Sequence, residues 1–205
     1  MDLFSSSFSF VIVPRGSTRQ PPAPRWSPSG HPMERSGLPK HLVVTGYVLD
    51  PTGRRVLLLF HRKLQRWLPP GGHVEASEDP LRALVREVWE ETGLLVRPLS
   101  DPEGGSEPGV LPLPRPHHVQ VETIDGRHEH VDLVYVCEIV GGEVRGNAES
   151  EEVRWVAEDD LRSLPLGENV RHHVRQLLQG ARPPAHSAGR SMRGPARRRT
   201  SRSVG

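Results

Sequence analysis

The sequence has one cysteine, Cys137, and no long apolar run, and each scarcity excludes a class of protein. A single cysteine allows neither an internal disulfide nor a zinc site built from several cysteines, so we expect a reducing, cytoplasmic location. No stretch approaches the ~20 apolar residues of a transmembrane helix. The apolar residues 8–13 form too short a run and lack a basic segment before them, so we expect no signal peptide and no membrane association.

Acidic residues are missing from the last 25 residues, which carry seven arginines. Residues 1–32 carry three arginines and one acidic residue, Asp2. Residues 33–180 therefore contain 17 basic and 24 acidic side chains, so this central region is acidic although the formal net charge of the whole chain is +2. An acidic domain repels polyphosphates unless a divalent cation lies between them. The arginine-rich tail has no interleaved aromatic residues, and we therefore expect no specific nucleic-acid binding.

Serine, proline, glycine and arginine are concentrated at the two ends of the chain. This composition buries too little apolar surface to offset the entropy of ordering, so residues 1–36 and 181–205 are predicted to be disordered. Met33, an alternative start of translation, lies just before the first predicted strand. Residues 37–180 then form one domain, which agrees with a typical size of about 150 residues.

The central region alternates between strand and helix patterns. Residues 42–49 and 56–60 are apolar runs around a turn-forming cluster at residues 50–53, and they predict a β-hairpin. A second hairpin is predicted around Asp125 and Gly126. The other predicted elements are the second hairpin's strands at 118–124 and 131–139, short strands at 94–96 and 153–156, a proline- and glycine-rich loop at 100–116, and helices at 79–92, 159–164 and 169–178.

The helix predicted at 79–92 is amphipathic. It has Ser77 or Glu78 near its start and Gly93 at its end. Its apolar residues recur at helical spacing: Leu81, Leu84, Val85 and Val88. The helix therefore packs one side against a core and leaves the other side available for chemistry.

Three glutamates of this helix, Glu87, Glu90 and Glu91, have the spacing i, i+3 and i+4. Their carboxylates are expected to converge on one face, where mutual repulsion costs a few tenths of a kcal/mol per pair. A bound divalent cation reverses that cost. Hard oxygen ligands favour Mg²⁺ or Mn²⁺ over zinc.

The segment GHVEASEDPLRALVREVWEETGL, which begins at Gly72, resembles the Nudix box G-x5-E-x7-R-E-U-x-E-E-x-G-U, where U is a bulky apolar residue. A chance match anywhere in the chain is on the order of 10⁻⁷. The resemblance covers residues 38–180 and implies an α/β protein with the Nudix fold, a mixed β-sheet in an α/β/α sandwich. All defined positions are filled: Gly72, Glu78, Arg86, Glu87, Val88, Glu90, Glu91, Gly93 and Leu94.

The resemblance also implies the chemistry. Nudix hydrolases cleave a diphosphate linkage in a small nucleotide substrate, with water attacking phosphorus and Mg²⁺, or Mn²⁺, as the cofactor. The metal site carried over comprises Gly72, Glu87, Glu90 and Glu91. The catalytic set comprises Glu90 and Glu91 together with Arg86 and Glu78, which orient the other carboxylates, and the loop of Gly71 and Gly72 contacts the substrate.

Two further candidates lie outside the box. Period two places His128, His130 and Asp132 on one face of a strand, in a stretch similar to one found in a subset of Nudix proteins. We interpret His130 as a contact to the substrate or to a second metal from the sheet face, the alternative being a polar start to a core strand. Glu151 is a second candidate contact, because relatives often have an acidic residue before the strand that Val153 begins. A charged loop is the alternative reading.

Several other features favour structural readings. Trp67 is expected to pack beneath the loop rather than stack on a base. The basic residues Arg62, Lys63 and Arg66 are expected to form a solvated rim. Cys137 lies in an apolar strand run, which argues against a thiol-dependent isomerase. A catalytically silent nucleotide sensor is the alternative function, but such a module should have a degenerate box. A homodimer is compatible with this reading.

Overall fold

The computed structural model describes residues 37–105, 107–147 and 150–180. The segments 1–36 and 181–205, for which disorder is predicted, lie outside that description. The described elements belong to one compact unit that begins at Leu38. In chain order they are β1 (Lys40–Val48), β2 (Val56–His61), β3 (Arg66–Leu68), β4 (Gly71–His73), α1 (Pro80–Thr92), β5 (Leu94–Pro98), β6 (His118–Ile124), β7 (His128–Gly142), β8 (Ser150–Val156), a 3-10 helix (Glu158–Arg162) and α2 (Glu168–Gly180).

The strands form two sheets. In the five-stranded mixed sheet, β7 pairs in parallel with β1 and antiparallel with both β5 and β6, while β4 extends the sheet antiparallel to β1. The smaller sheet has the antiparallel order β3-β2-β8. The predicted second hairpin is confirmed, since β6 and β7 pair from Ile124 opposite His128 onward.

The predicted first hairpin is wrong, because β1 and β2 lie in different sheets. The turn itself forms: the Asp50 carboxylate accepts hydrogen bonds from the Thr52 hydroxyl and from the backbone N–H of Arg54 and of Arg55. An isolated bridge between Leu49 and Val56 joins the chain next to the turn, and beyond it β1 and β2 do not pair with each other. Their other partners, β7 for β1 and β8 for β2, provide longer ladders.

Helix α1 begins and ends at residues with specific backbone roles. The cap is Asp79, rather than Ser77 or Glu78 as predicted, and its carboxylate accepts the N–H groups of Leu81 and Arg82. Gly93 ends the helix in the left-handed conformation, with φ at 70°. The helix that carries the box is therefore fixed at both ends.

Two cores flank the mixed sheet. On one face, α1 packs Leu84 and Val88 against Val44 and Tyr135. On the other face, Trp67 of the smaller sheet and Val174 of α2 pack with Tyr47 and Val134 of the mixed sheet. This arrangement confirms the predicted α/β/α sandwich with a mixed β-sheet. Trp67 is buried, in agreement with packing, and Cys137 is buried in β7. None of the described helices is long and apolar enough to span a membrane.

Helix α2 carries His173, whose ring stacks on His118 of β6 with centroids 4.1 Å apart. Burial, and then the neighbouring His118, lowers the pKa of His173 to about 4. An unfolded histidine has a pKa of about 6.5, so between pH 6.5 and pH 4 the unfolded state binds a proton that the folded state does not. Stability contributed by neutral His173 is complete above pH 6.5 and is lost as the pH falls.

We therefore expect the melting temperature of the wild type to fall more than that of His173→Phe between pH 6.5 and pH 4, by roughly 5 °C. Differential scanning calorimetry of both proteins measures this difference. Titrating groups away from His173 contribute about equally to the two proteins and largely cancel. Parallel curves of melting temperature against pH would contradict the assignment.

Candidate active site

The box loop is held between the mixed sheet and helix α1. Strand β4 pairs with β1, so that Gly72 lies opposite Val44, and the Pro70 carbonyl accepts the N–H of Gly46 at 2.9 Å. From the helix side, a Glu91 carboxylate oxygen accepts the N–H of Gly71 at 2.8 Å. Glu91 is buried. The loop and the carboxylate face of the helix are therefore one connected unit.

The guanidinium of Arg86 connects the acidic residues of the box. It donates two hydrogen bonds to Glu78, at 2.6 and 3.2 Å, in a bidentate pair. Its Nη1 donates to Glu87 at 2.9 Å and to Glu90 at 3.3 Å, and its Nη2 donates to the His73 carbonyl at 3.0 Å. The side chain is 27% exposed, so these contacts are partly shielded from water. One cation thus organises three carboxylates and the end of β4.

The three glutamates expected to converge do so only in part. Arg86 Nη1 draws Glu87 and Glu90 toward each other, while Glu91 is turned toward the Gly71 N–H. Within the described residues, the set of three candidate ligands whose atoms all lie within 4.8 Å of one another consists of histidines, not of these glutamates. The competing hydrogen bonds of Arg86 and Gly71 are the physical reason for this separation.

Even so, the donor set suits a hard divalent cation. Burial raises the pKa of Glu87, an effect that Arg86 opposes and the neighbouring carboxylates reinforce. Excess negative charge in a partly buried site is what a bound cation relieves. Gly72 leaves the required room, because a Cβ there would lie 2.4 Å from Glu87 Oε1. Carboxylate oxygens beside a glycine backbone match Mg²⁺ or Mn²⁺.

The two glycines of the loop should respond differently to substitution by alanine. In Gly72→Ala the new Cβ meets the flexible end of Glu87, so we expect the fold to persist and the metal concentration for half-maximal activity to rise on the order of tenfold. In Gly71→Ala the new Cβ lies 2.2 Å from the Val44 carbonyl oxygen, and we expect a loss of about 2 kcal/mol or more in stability.

Thermal denaturation and metal titration of activity separate these two effects. Unchanged metal dependence in a folded Gly72→Ala protein would show that Glu87 does not need its present position.

Of the two candidates outside the box, only His130 lies near it. Its ring centroid is 4.9 Å from that of His73, the residue after Gly72. Glu151 is exposed on β8, where Gln65 donates to it at 3.5 Å. Among the described residues, no hydrogen bond or ion pair joins Glu151 to the box carboxylates. The exposed Arg62, Lys63 and Arg66 agree with a solvated rim.

Sequence reasoning missed a buried polar cluster beside this loop. Asp132 Oδ2 accepts hydrogen bonds from Thr45 at 3.0 Å and from Gln120 at 3.2 Å. Its Oδ1 is buried and has no hydrogen-bond partner among the described residues. Burial raises the pKa of Asp132 to about 6. The alternation of β7 pointed to Asp132, but Thr45 and Gln120 come from other strands and could be found only from the sheet register.

The mixed sheet between two helical layers, with a glycine loop against a carboxylate-bearing helix, is the arrangement expected of the Nudix fold. The NUDIX domain family model matches residues 39–178, and the chain therefore belongs to the Nudix family. It is a pyrophosphohydrolase. Members of this family generally use a divalent metal and act on small nucleotides.

Individual relatives agree with this assignment. The chain is 30% identical over 162 residues to a MutT-like protein of Streptomyces ambofaciens, across 76% of this chain and 89% of that protein. It is 32% identical over 96 residues to an ADP-ribose pyrophosphatase of Methanocaldococcus jannaschii, across 47% of each protein. The crystal structure of a Nudix-family hydrolase from Clostridium perfringens superposes with a TM-score of 0.58 at 27% identity, covering 69% of this chain and 98% of that one.

Proposed function

We propose that this enzyme uses Mg²⁺ to hydrolyse the diphosphate linkage of a nucleoside diphosphate joined to a second group. The observation that carries the proposal is the contact set of Arg86, which holds three carboxylates beside the glycine loop. A purely structural ion pair would need only one carboxylate beside Arg86. Because three carboxylates surround this single guanidinium, the loop carries net negative charge, as a metal-dependent phosphate site requires.

Each residue of the site has a role in this proposal. Glu87, Glu90 and Glu91, with the backbone at Gly72, would hold Mg²⁺, and Mn²⁺ could replace it. The ion supplies positive charge that neutralises the diphosphate and makes water a stronger nucleophile. Arg86 keeps two of the ligands in position, and Glu78 fixes Arg86 from the far side. The Gly71 N–H fixes Glu91.

Water attacks phosphorus and displaces a phosphate-bearing product, so one product is a nucleoside monophosphate and the other is pyrophosphate or a phosphorylated group. A carboxylate must accept the proton of the attacking water. Our candidate is Glu90, whose side chain is 55% exposed, whereas Glu91 is buried. Substrate phosphates would approach the backbone of Gly71 and Gly72, where no side chain obstructs them.

The part of the substrate beyond the diphosphate is proposed from a relative's activity and from the positions of two side chains. The similarity to an ADP-ribose pyrophosphatase over about half of each chain makes nucleotide sugars the first class to test. His130 lies beside the loop and is proposed to contact the substrate. Glu151, on the smaller sheet, is proposed as a contact at the other end of the substrate. Nucleoside triphosphates form the second class.

The test is a substrate panel of ADP-ribose, other nucleotide sugars, nucleoside triphosphates and coenzyme A, with Mg²⁺, Mn²⁺ or EDTA. Products are separated by ion-exchange chromatography, which identifies the bond that was cleaved. Metal-dependent release of a nucleoside monophosphate from one class supports the proposal and names the substrate. Tight binding of a nucleotide without turnover under any condition would instead support the nucleotide-sensor alternative.

Two further predictions accompany this function. A homodimer is tested by sedimentation equilibrium against the chain mass of 22.8 kDa. A cytoplasmic location is tested by fractionation of the source cells.

A further inference from the structure

Four histidines lie together on one face of the mixed sheet. His41 comes from β1, His73 from β4, and His128 and His130 from β7. His41 is the register partner of His130, and His73 is the partner of Val43, two residues after His41. Partners across a sheet and alternate residues along a strand share a face, so all four side chains project from the same side.

This face is opposite to the one that carries the box chemistry. Gly72 and Val44 are the residues of β4 and β1 that face α1, since a Cβ on Gly72 would meet Glu87 and Val44 packs in the core with Leu84. The histidines occupy the alternate positions. The four-histidine cluster is therefore separated from the glutamates by the backbone of the sheet.

Ring nitrogens of the four histidines lie close to one another. His41 Nδ1 lies 3.3 Å from His73 Nε2, and His128 Nε2 lies 3.1 Å from His130 Nε2. One ring nitrogen from each of His41, His128 and His130 lies within 4.8 Å of the other two. Zinc–nitrogen bonds of about 2.0–2.1 Å in a tetrahedral site place ligand nitrogens roughly 3.4 Å apart.

Charge favours the same conclusion. Neutral imidazole is the form of histidine that ligates metals. Protons on several of these rings would repel one another. A divalent cation shared among neutral rings replaces that repulsion with attraction.

We propose that His41, His128 and His130 bind a transition-metal ion, with Zn²⁺ as the first candidate and the neighbouring His73 as a candidate fourth ligand. With the ion bound, His130 would serve as its ligand in place of the direct substrate contact proposed above. Imidazole nitrogen suits Zn²⁺, Ni²⁺ and Cu²⁺ and is a poor ligand for Mg²⁺, so the two kinds of ion occupy different sites. The bound ion would join the ends of β1, β4 and β7. Because the His73 carbonyl accepts a hydrogen bond from Arg86, ligation of His73 also restrains the box loop.

The experiment uses full-length protein without a polyhistidine tag, stripped with a chelator and kept in excess Mg²⁺. Zn²⁺ is titrated by isothermal calorimetry, and Co²⁺ binding is followed by the visible absorption of its tetrahedral complexes. We expect one Zn²⁺ per chain in the wild type and at least tenfold weaker binding in His41→Ala and in His128→Ala. His172→Ala changes an exposed histidine outside the cluster and should bind like the wild type.

Two results would overturn the proposal. The first is Zn²⁺ affinity in folded His41→Ala equal to that of the wild type, with folding checked by circular dichroism. His41 is exposed and has no role in the proposed hydrolysis, so this variant should fold. The second is loss of Zn²⁺ binding in Glu91→Gln, which would place the ion at the box carboxylates instead.

Discussion

The Glu91→Gln variant is expected to lose turnover by a factor on the order of 10²–10⁴ while keeping its fold. The amide oxygen of glutamine can still accept the Gly71 N–H, so the tether between β4 and α1 remains. The substitution removes the negative charge of a buried carboxylate that we propose as a metal ligand. Steady-state kinetics with the best substrate of the panel, at increasing Mg²⁺ concentration, measure the loss.

The matched control is Glu168→Gln, which makes the same chemical change at an exposed glutamate in the first turn of α2. It should retain wild-type turnover. If the Mg²⁺-dependent kcat of Glu91→Gln stayed within threefold of the wild-type value, Glu91 would not be a metal ligand. Calorimetric melting of both proteins shows whether a loss of activity comes from unfolding.

Replacing Arg86 by methionine is expected to impair both stability and catalysis. The substitution leaves Glu78, Glu87 and Glu90 without their shared cation. Breaking a fully buried pair costs about 3–5 kcal/mol, and the partial exposure of this cluster reduces the expected loss to about 2 kcal/mol. Loss of a residue that orients metal ligands typically lowers activity about 10- to 100-fold. Denaturant titration and kinetics measure the two effects.

The control lies one helical turn earlier. Arg82 is on the same helix, but it is 76% exposed and its ion pair with Asp79 is 3.6 Å long, so Arg82→Met should change stability and activity little. Mg²⁺ should stabilise Arg86→Met more than the wild type, because the ion replaces part of the missing positive charge. Equal effects of the two substitutions would contradict the central position given to Arg86.

Local patterns predicted the parts of the fold that depend on local sequence. The apolar spacing of Leu84 and Val88 predicted α1, and alternation around Asp125 and Gly126 predicted the hairpin of β6 and β7. The match to the Nudix box predicted the layered architecture. These features are encoded within windows of 10–25 residues, over which periodicity and caps are readable.

Features that depend on pairing between distant strands were not predicted. β3 and β4 have three residues each and contain too few positions for a period, so both were missed. β1 and β2 were joined in one hairpin because nothing local shows that β1 takes β7 as its partner. The same register brings His41 next to His130, and the meeting of the four histidines was therefore not foreseen.

The parallel pairing of β1 with β7 has a consequence for how this enzyme is made. Every register pair between the two strands joins residues 89 positions apart, from Lys40 with Glu129 to Val48 with Cys137. Contacts so distant along the chain slow folding, because the loop between them must close first. During synthesis on the ribosome, β1 remains unpaired with its main partner until β7 has emerged. Chaperones that shield apolar strand edges should therefore engage the nascent chain during this interval, before the hydrolase exists as an enzyme.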